Sequence, residues 1–287
     1  MSIGTEEYIG YDNVILVGGS TLMEHCIRVI RKSYDRQITL LDIDADRGQR
    51  IIKLCEEYQV IHTKADKMRV MKTLLEQKSR TLVFSIMSPY IFTKEVVDNK
   101  NLTIINLHHA LLPGHRGRNA TAWAIYYQEK YAGISWCIVD EGVDTGGVLC
   151  KKEIEIVDNV TSIKLFQLQN TLAVSALEEH IEEWLAGRIE PMEYEQGQDY
   201  LHLSKDVPNN GELNLEWDIQ KQSAFLSAMD YGIMKTLGDV FFRLEGNTYI
   251  VKSYKIRQSQ EEGSYCRLVE NALLINKEGY RIEIKCK

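Results

Sequence analysis

The sequence predicts an α/β protein with a mostly parallel sheet in its first two thirds and a smaller, mostly β region after it. Three observations carry that expectation. Short apolar, β-branched runs alternate with amphipathic helical patterns from Asn13 to about residue 186, the rhythm of strand–helix–strand units. Polar side chains of mixed chemistry collect beside turns inside one stretch, Ile105 to Leu149. After residue 200 the pattern changes to a period of two, the mark of half-buried antiparallel strands. The division this implies is 1–200 for the main domain and 201–287 for the appendage.

Taken in order, residues 1–11 are polar and read as an extension or first loop. Asn13 to Val17 is a strand, and Gly18-Gly19-Ser20-Thr21 turns from it into an amphipathic helix carrying Cys26, Ile27 and Ile30 on one face. A glycine turn at a helix start can cradle phosphate on backbone N–H groups, or it can be only a tight turn. Ile38 to Asp42 is a second strand, and Asp42 stands where a ribose-binding acid would follow a dinucleotide fingerprint. G-x-G-x-x-G is absent, which leaves a nicotinamide reading weak. Ile51–Tyr58 and Met68–Leu75 are surface helices, Thr81–Ile86 a third strand, and a short helix starts at Thr93. Leu102–Leu107 and Ile134–Asp140 are further strands, with a short helix between them capped at Asn119 or Thr121. Val148–Ile156 is β-rich. Thr161–Ala186 is a long amphipathic helix that closes the domain, and a polar connector covers 190–199. Beyond it lie a helix over 220–230 and alternating strands in 239–256 and 272–284.

The candidate site is read from Asn106, His108 and Asp144. These place an amide, an imidazole and a carboxylate at the carboxyl ends of neighbouring strands, where open α/β sheets bind ligands. The chemistry the three share is acyl transfer to an amine. A fixed amide N–H donates to a developing oxyanion, an imidazole adds a charge-assisted bond or moves a proton, and a carboxylate orients the imidazole. No serine or cysteine nucleophile is required.

Asn106-x-His108-x-x-Leu111-Leu112-Pro113, then Arg116-Gly117, then Asp144-x-Gly146 resembles the formyltransferases that use 10-formyltetrahydrofolate, whose members act on glycinamide ribonucleotide, methionyl-tRNA and amino sugars. The resemblance implies a Rossmann-like formyltransferase domain followed by a small OB-like domain. It implies that Asn106, His108 and Asp144 are the catalytic trio. It implies a pterin pocket walled by Ser85, Ile86 and Met87 on one side and by Val139, Asp140, Gly142 and Val143 on the other. It makes Gly18, Gly19, Ser20 and Arg116 substrate-binding candidates on the acceptor side, and Arg116, which matches the family's Arg-Gly, also fixes its loop by ion pairing or hydrogen bonds. Ala110, Ala120 and Cys137 depart from common family residues, which bears on the acceptor rather than on formyl transfer.

Ala228-Met229-Asp230-Tyr231-Gly232 resembles the branch joining sugar-nucleotide formyltransferases to formylation domains of nonribosomal peptide synthetases. Within it the resemblance is greatest to enzymes of pseudaminic-acid biosynthesis, implying a UDP-linked 4-amino-4,6-dideoxy sugar as acceptor. The alternatives are an amino acid, a siderophore-type hydroxylamine or a carrier-bound aminoacyl group. Further off stand a formyltetrahydrofolate hydrolase and a non-catalytic folate-binding module. The C-terminal region of relatives helps bind the acceptor or forms a homodimer.

The net charge of −7, with no polybasic run, argues against a nucleic-acid partner and against methionyl-tRNA in particular. Six scattered cysteines without a C-x-x-C pair suggest neither a disulfide framework nor a metal site. No apolar run approaches a membrane span and no signal peptide is visible, so the expectation is a cytoplasmic protein. His109, one residue from His108, points to the other side and reads as structural or acceptor-side. His25, His62, His180 and His202 read as ordinary residues, Trp123 as core, and Tyr126 and Tyr127 as candidates for the acceptor pocket.

Overall fold

A computed structural model describes residues 10–43, 48–193 and 199–287. Most of the expected N-terminal extension, and residues 194–198 of the connector, lie outside the described residues. The chain divides into two compact units. The first holds residues up to 116 with 133–153 and 169–199; the second holds 117–132, 154–168 and 200–287.

The first unit is built on a sheet of β1 (Asn13–Gly18), β2 (Gln37–Asp42), β3 (Val60–Lys64), β4 (Thr81–Ile86), β5 (Leu102–His108), β7 (Tyr131–Ile138) and β8 (Val148–Glu155), in the order β3-β2-β1-β4-β5-β7-β8. The short β6 (Arg116–Gly117) lies outside this sheet. The first five strands are mutually parallel and β7 runs antiparallel to β5. The expected mostly parallel sheet is therefore present. Strand β3, Val-Ile-His-Thr-Lys, carries too little apolar periodicity to be read from sequence; only Val60 is fully buried at this sheet edge.

Side-chain alternation divides the strands between two cores. Val14 and Leu16 of β1, Phe84 of β4, Ile105 and Leu107 of β5 and Trp136 of β7 pack with α1 (Thr21–Ser33), α2 (Gly48–Glu57) and the far half of α6 (Ser162–Leu185). Phe84, Trp136 and Trp184 meet here with ring centroids 5.8–6.3 Å apart. Each large side chain so buried contributes about 1.5–3 kcal/mol. Ile15, Val17, Val83 and Ile104 face the other way, onto α3 (Lys67–Leu75) and α4 (Lys94–Val97). Asn106 and His108 continue the Ile104 face, so one strand face passes from core to polar site within four residues.

The second unit gathers α5 (Ala120–Tyr126), the start of α6 and, from the last 88 positions (200–287), α7 (Ile219–Met229) with an antiparallel sheet. That sheet orders β10 (Phe241–Leu244), β11 (Asn247–Gln258), β14 (Tyr280–Cys286), β13 (Ala272–Lys277) and β12 (Tyr265–Val269) as β10-β11-β14-β13-β12. Phe242, Leu273, Ile275, Ile282 and Ile284 line its buried face against Phe225 and Leu226 of α7. The first seven residues of α6 belong to this unit, so the helix expected to close the main domain is shared. Trp123 and Tyr127, one helical turn apart, lie on Tyr200 and His202, two residues apart on an extended segment ending in β9 (Leu201–His202). Trp123 and His202 stack at 4.4 Å and 6°, Tyr127 and Tyr200 at 5.3 Å and 21°.

Candidate active site

Strand β5 presents Asn106 and His108 on one face, and the segment after it is fastened before it turns. Ser135 of β7 accepts the Leu112 N–H at 3.0 Å and donates to the Ala110 carbonyl at 2.7 Å. The Gln169 amide donates to the carbonyls of His109 and Gly133 at 3.0 and 2.6 Å. His115 then adopts a left-handed φ of 54°, and its carbonyl lies 2.8 Å from His108 Nε2. A carbonyl only accepts, so Nε2 carries the hydrogen. In the neutral ring the lone pair is thereby left on Nδ1.

That nitrogen faces Asp144. The distance from His108 Nδ1 to Asp144 Oδ2 is 3.5 Å, and Asn106 Nδ2 donates to Asp144 Oδ1 at 3.2 Å. The structure thus brings together the three residues that the sequence singles out. It does so differently from the expected row of carboxyl strand ends. Because β7 is antiparallel to β5, Ser135 pairs with His108 and Ile138 with Ile105, and Val139 N–H reaches the Ile104 carbonyl at 2.8 Å. The chain leaves β7 heading away from His108. It folds back as a loop that sets Asp144 over the face carrying Asn106 and His108.

Several contacts hold this loop in shape. Asp140 Oδ1 accepts the Gly142 N–H at 3.0 Å and the Thr145 hydroxyl at 2.6 Å. Lys94 bonds Glu141, and Ile138 N–H closes the loop on the Gly147 carbonyl at 2.9 Å. At Gly146 a Cβ would stand 1.9 Å from the Ile138 carbonyl oxygen, so only glycine fits there. Asp144 itself has a left-handed φ of 51°, a conformation costly for most side chains and tolerated by Asp.

Arg116 uses its donors within the protein. Nε and Nη2 make a bidentate pair with Asp199 at 2.6 and 2.8 Å, and Nη1 donates to the Val143 carbonyl at 3.1 Å. The pair raises the guanidinium and lowers the Asp199 carboxyl relative to their ordinary ranges, each mainly through the hydrogen bonds they share. The expected loop-fixing contact is therefore present, with a partner the sequence did not reveal.

The two expected pterin walls flank β5. Ser85 pairs in register with Asn106 on one side, and Val139 follows β7 on the other. Ser85 and Ile86 are buried, whereas Met87, at φ 53°, and Val143 are the exposed side chains of the two walls. At the first glycine turn, a Cβ on Gly18 would meet the Ile86 carbonyl oxygen at 2.0 Å. The Ser20 hydroxyl accepts the Met23 N–H at 3.3 Å as the cap of α1.

His109 points away from the trio, as its neighbour's register requires. Its Nε2 donates to Asn170 Oδ1 at 2.8 Å, and burial pushes its pKa down to about 4 despite that bond. Three of the histidines read as ordinary turn out to have specific partners: His180 stacks on Trp184, one helical turn away, at 5.5 Å and 14°, and the other two have partners that a scan of neighbouring residues could not find. His62 Nε2 lies 2.9 Å from Asp42, and His202 lies against Trp123. Asp42, the would-be ribose acid, is buried in that contact. Among the described residues no group of His, Cys, Asp and Glu has the arrangement to hold a metal ion, and no helix is long and apolar enough to cross a membrane.

The family model described as "Formyl transferase" matches residues 38–181. The chain belongs to the formyl transferase family. Among its relatives, a methionyl-tRNA formyltransferase of Clostridium beijerinckii is 33% identical over 155 residues, covering 53% of this chain and 49% of that protein. A GDP-perosamine N-formyltransferase of Brucella melitensis is 30% identical over 159 residues, covering 55% of this chain and 59% of the relative. The chain thus spans about half the length of these relatives. An N-formyltransferase from Helicobacter canadensis, solved with folinic acid and dTDP-3-aminofucose, shares the fold with a TM-score of 0.77. The match covers 96% of this chain and 99% of that one at 14% identity.

Proposed function

We propose that the chain is an N-formyltransferase that moves the formyl group of 10-formyltetrahydrofolate to the amine of a nucleotide-linked amino sugar. The observation that carries this reading is the Asp144 carboxylate held by Asn106 Nδ2 and facing His108 Nδ1. The Asn106 amide has two hydrogens. One bonds Asp144, and the second is available to the formyl oxygen as it gains charge. The neutral amine attacks the formyl carbon. The bond from that carbon to the folate nitrogen breaks as the folate nitrogen regains a proton. Asp144 and His108 Nδ1 carry the proton lost by the amine toward that leaving nitrogen, and Nε2 stays fixed by the His115 carbonyl.

The proposed folate site uses the exposed side chains of Met87 and Val143, with backbone groups of Ser85, Ile86, Val139, Asp140 and Gly142, on both sides of β5. Gly18, Gly19 and Ser20 face the acceptor in this reading. Catalysis resides in residues 1–200, and residues 201–287, taken as OB-like, help bind the acceptor or form a homodimer in the cytoplasm. Support for a sugar nucleotide comes from the perosamine-type relative and from the fold shared with a protein solved with an amino-sugar nucleotide. The net charge of −7 weighs against tRNA. The particular acceptor we propose is a UDP-linked 4-amino-4,6-dideoxy sugar of pseudaminic-acid-type biosynthesis.

The test is a mass-spectrometric screen with 10-formyltetrahydrofolate and UDP-, dTDP- and GDP-linked amino sugars, amino acids, hydroxyornithine and methionyl-tRNA. A formyl group gained by a sugar nucleotide is expected, with the UDP-linked 4-amino sugar fastest. Formylation of another nucleotide sugar overturns only the finer assignment, and formylation of the other acceptors alone overturns the acceptor class. Formate release without a formylated product would point to a hydrolase.

A further inference from the structure

The contact between Arg116 and Asp199 joins residues 83 positions apart and ends on the catalytic loop. All the guanidinium donors with identified bonds serve this junction: two on the Asp199 carboxylate and one on the Val143 carbonyl. Val143 immediately precedes Asp144. The peptide it shares with Asp144 leads into the left-handed residue whose two carboxylate oxygens must meet different partners on β5. A left-handed Asp persists only where its surroundings hold it. On its far side the loop is held by Thr145 on Asp140 and by the close approach at Gly146, and on the Val143 side Arg116 bonds the Val143 carbonyl. Asp199 fixes the plane of the guanidinium through its bidentate grip, which a single-point contact could not do.

We infer that Asp199 is a positioning residue for formyl transfer, holding Arg116 so that the Val143 carbonyl sets the Asp144 carboxylate against Asn106 and His108. The inference rests on the proposed function for its activity readout and on the fold alone for its second readout. A carboxylate misplaced by about 1 Å costs up to roughly a hundredfold in rate. Neither side chain touches the formyl donor in this assignment.

The experiment compares Asp199→Asn, Asp199→Glu and Arg116→Ala with the unaltered full chain. It measures kcat and KM for both substrates with the acceptor found in the screen, together with hydrogen exchange of residues 139–147. Asp199→Asn is expected to lower kcat at least tenfold, to leave both KM values within about threefold and to speed exchange in that loop. Asp199→Glu should recover part of kcat. Guanidinium ion should partly rescue Arg116→Ala and should fail to rescue the Arg116→Ala, Asp199→Ala double variant. Unchanged kcat in Asp199→Asn, or unchanged loop exchange, overturns the inference. So does a raised acceptor KM at constant kcat, which would make Arg116 a binding group. If the unaltered protein formylates nothing in the screen while Asp199→Asn still loosens the loop, the functional reading falls and the clamp on Asp144 stands.

Discussion

Two glycine-bearing turns leave strands of the same sheet, and they do different work. At the end of β1, Gly18 lets the backbone pass against the Ile86 carbonyl and the Ser20 hydroxyl caps α1, a contact within the turn itself. In the loop after β7, Gly146 lets the backbone pass against the Ile138 carbonyl in the same way. Here, however, the polar residue of the turn reaches across to two side chains on another strand. Glycine marks tight backbone in both. What distinguishes a site is a polar group that the local turn does not consume. The first turn remains a proposed acceptor contact on the strength of the family resemblance, and the second has its own geometry to support it.

The largest effect is expected at Asp144. Asp144→Asn keeps the size of the side chain and removes its charge, and turnover should fall by about 10² or more with the melting temperature little changed. Near-normal turnover would remove the second turn's claim to chemistry. The next effect separates the two glycines. Gly146→Ala should lower turnover per folded molecule about tenfold or more, because relief of the clash moves the loop bearing Asp144. Gly18→Ala should cost about 1–3 kcal/mol of stability, through the clash with the Ile86 carbonyl and a φ of 134°, and should raise the acceptor KM of the folded fraction with little change in kcat. Denaturant melts paired with active-site titration measure both. An unchanged acceptor KM in the folded fraction of Gly18→Ala would make the first turn a packing device alone.

Smaller effects concern groups held outside the trio. Ser20→Ala removes the cap of α1 and should cost about 1 kcal/mol, read from the shift in urea midpoint. His109 is neutral in the fold because burial lowers it to about 4 from 6.5, so the unfolded chain takes up the proton first on acidification. Its contribution to stability is present above pH 6.5 and is lost as the pH falls toward 4. His109→Gln should flatten unfolding free energy across that window, and an unchanged slope would mean that other groups set it.

Most strands of the first unit were legible because their apolar runs are separated by helices with clear apolar stripes, whereas β3, with only Val60 buried, and the order of the strands were not. The trio was legible because Asn106 and His108 share a strand parity and Asp144 sits between glycines. Three features were hidden for physical reasons. The loop's return path depends on β7 being antiparallel, and an apolar run carries no sign of direction. Asp199 lies 83 positions from the arginine it grips, where only the fold brings the charges together. The stack of Trp123 and Tyr127 on Tyr200 and His202 is written as a helical spacing of four facing a strand spacing of two, a pattern recognisable only once the two are known to meet.

A double-mutant cycle shows whether Asn106 and Asp144 act as one unit with His108. Asn106→Ala, Asp144→Asn and the pair would be compared by kcat/KM for formyl transfer. The double variant is expected to be scarcely slower than the worse single variant, as residues acting together are strongly non-additive. Losses that simply multiply would show that the two side chains contribute independently and would contradict that expectation.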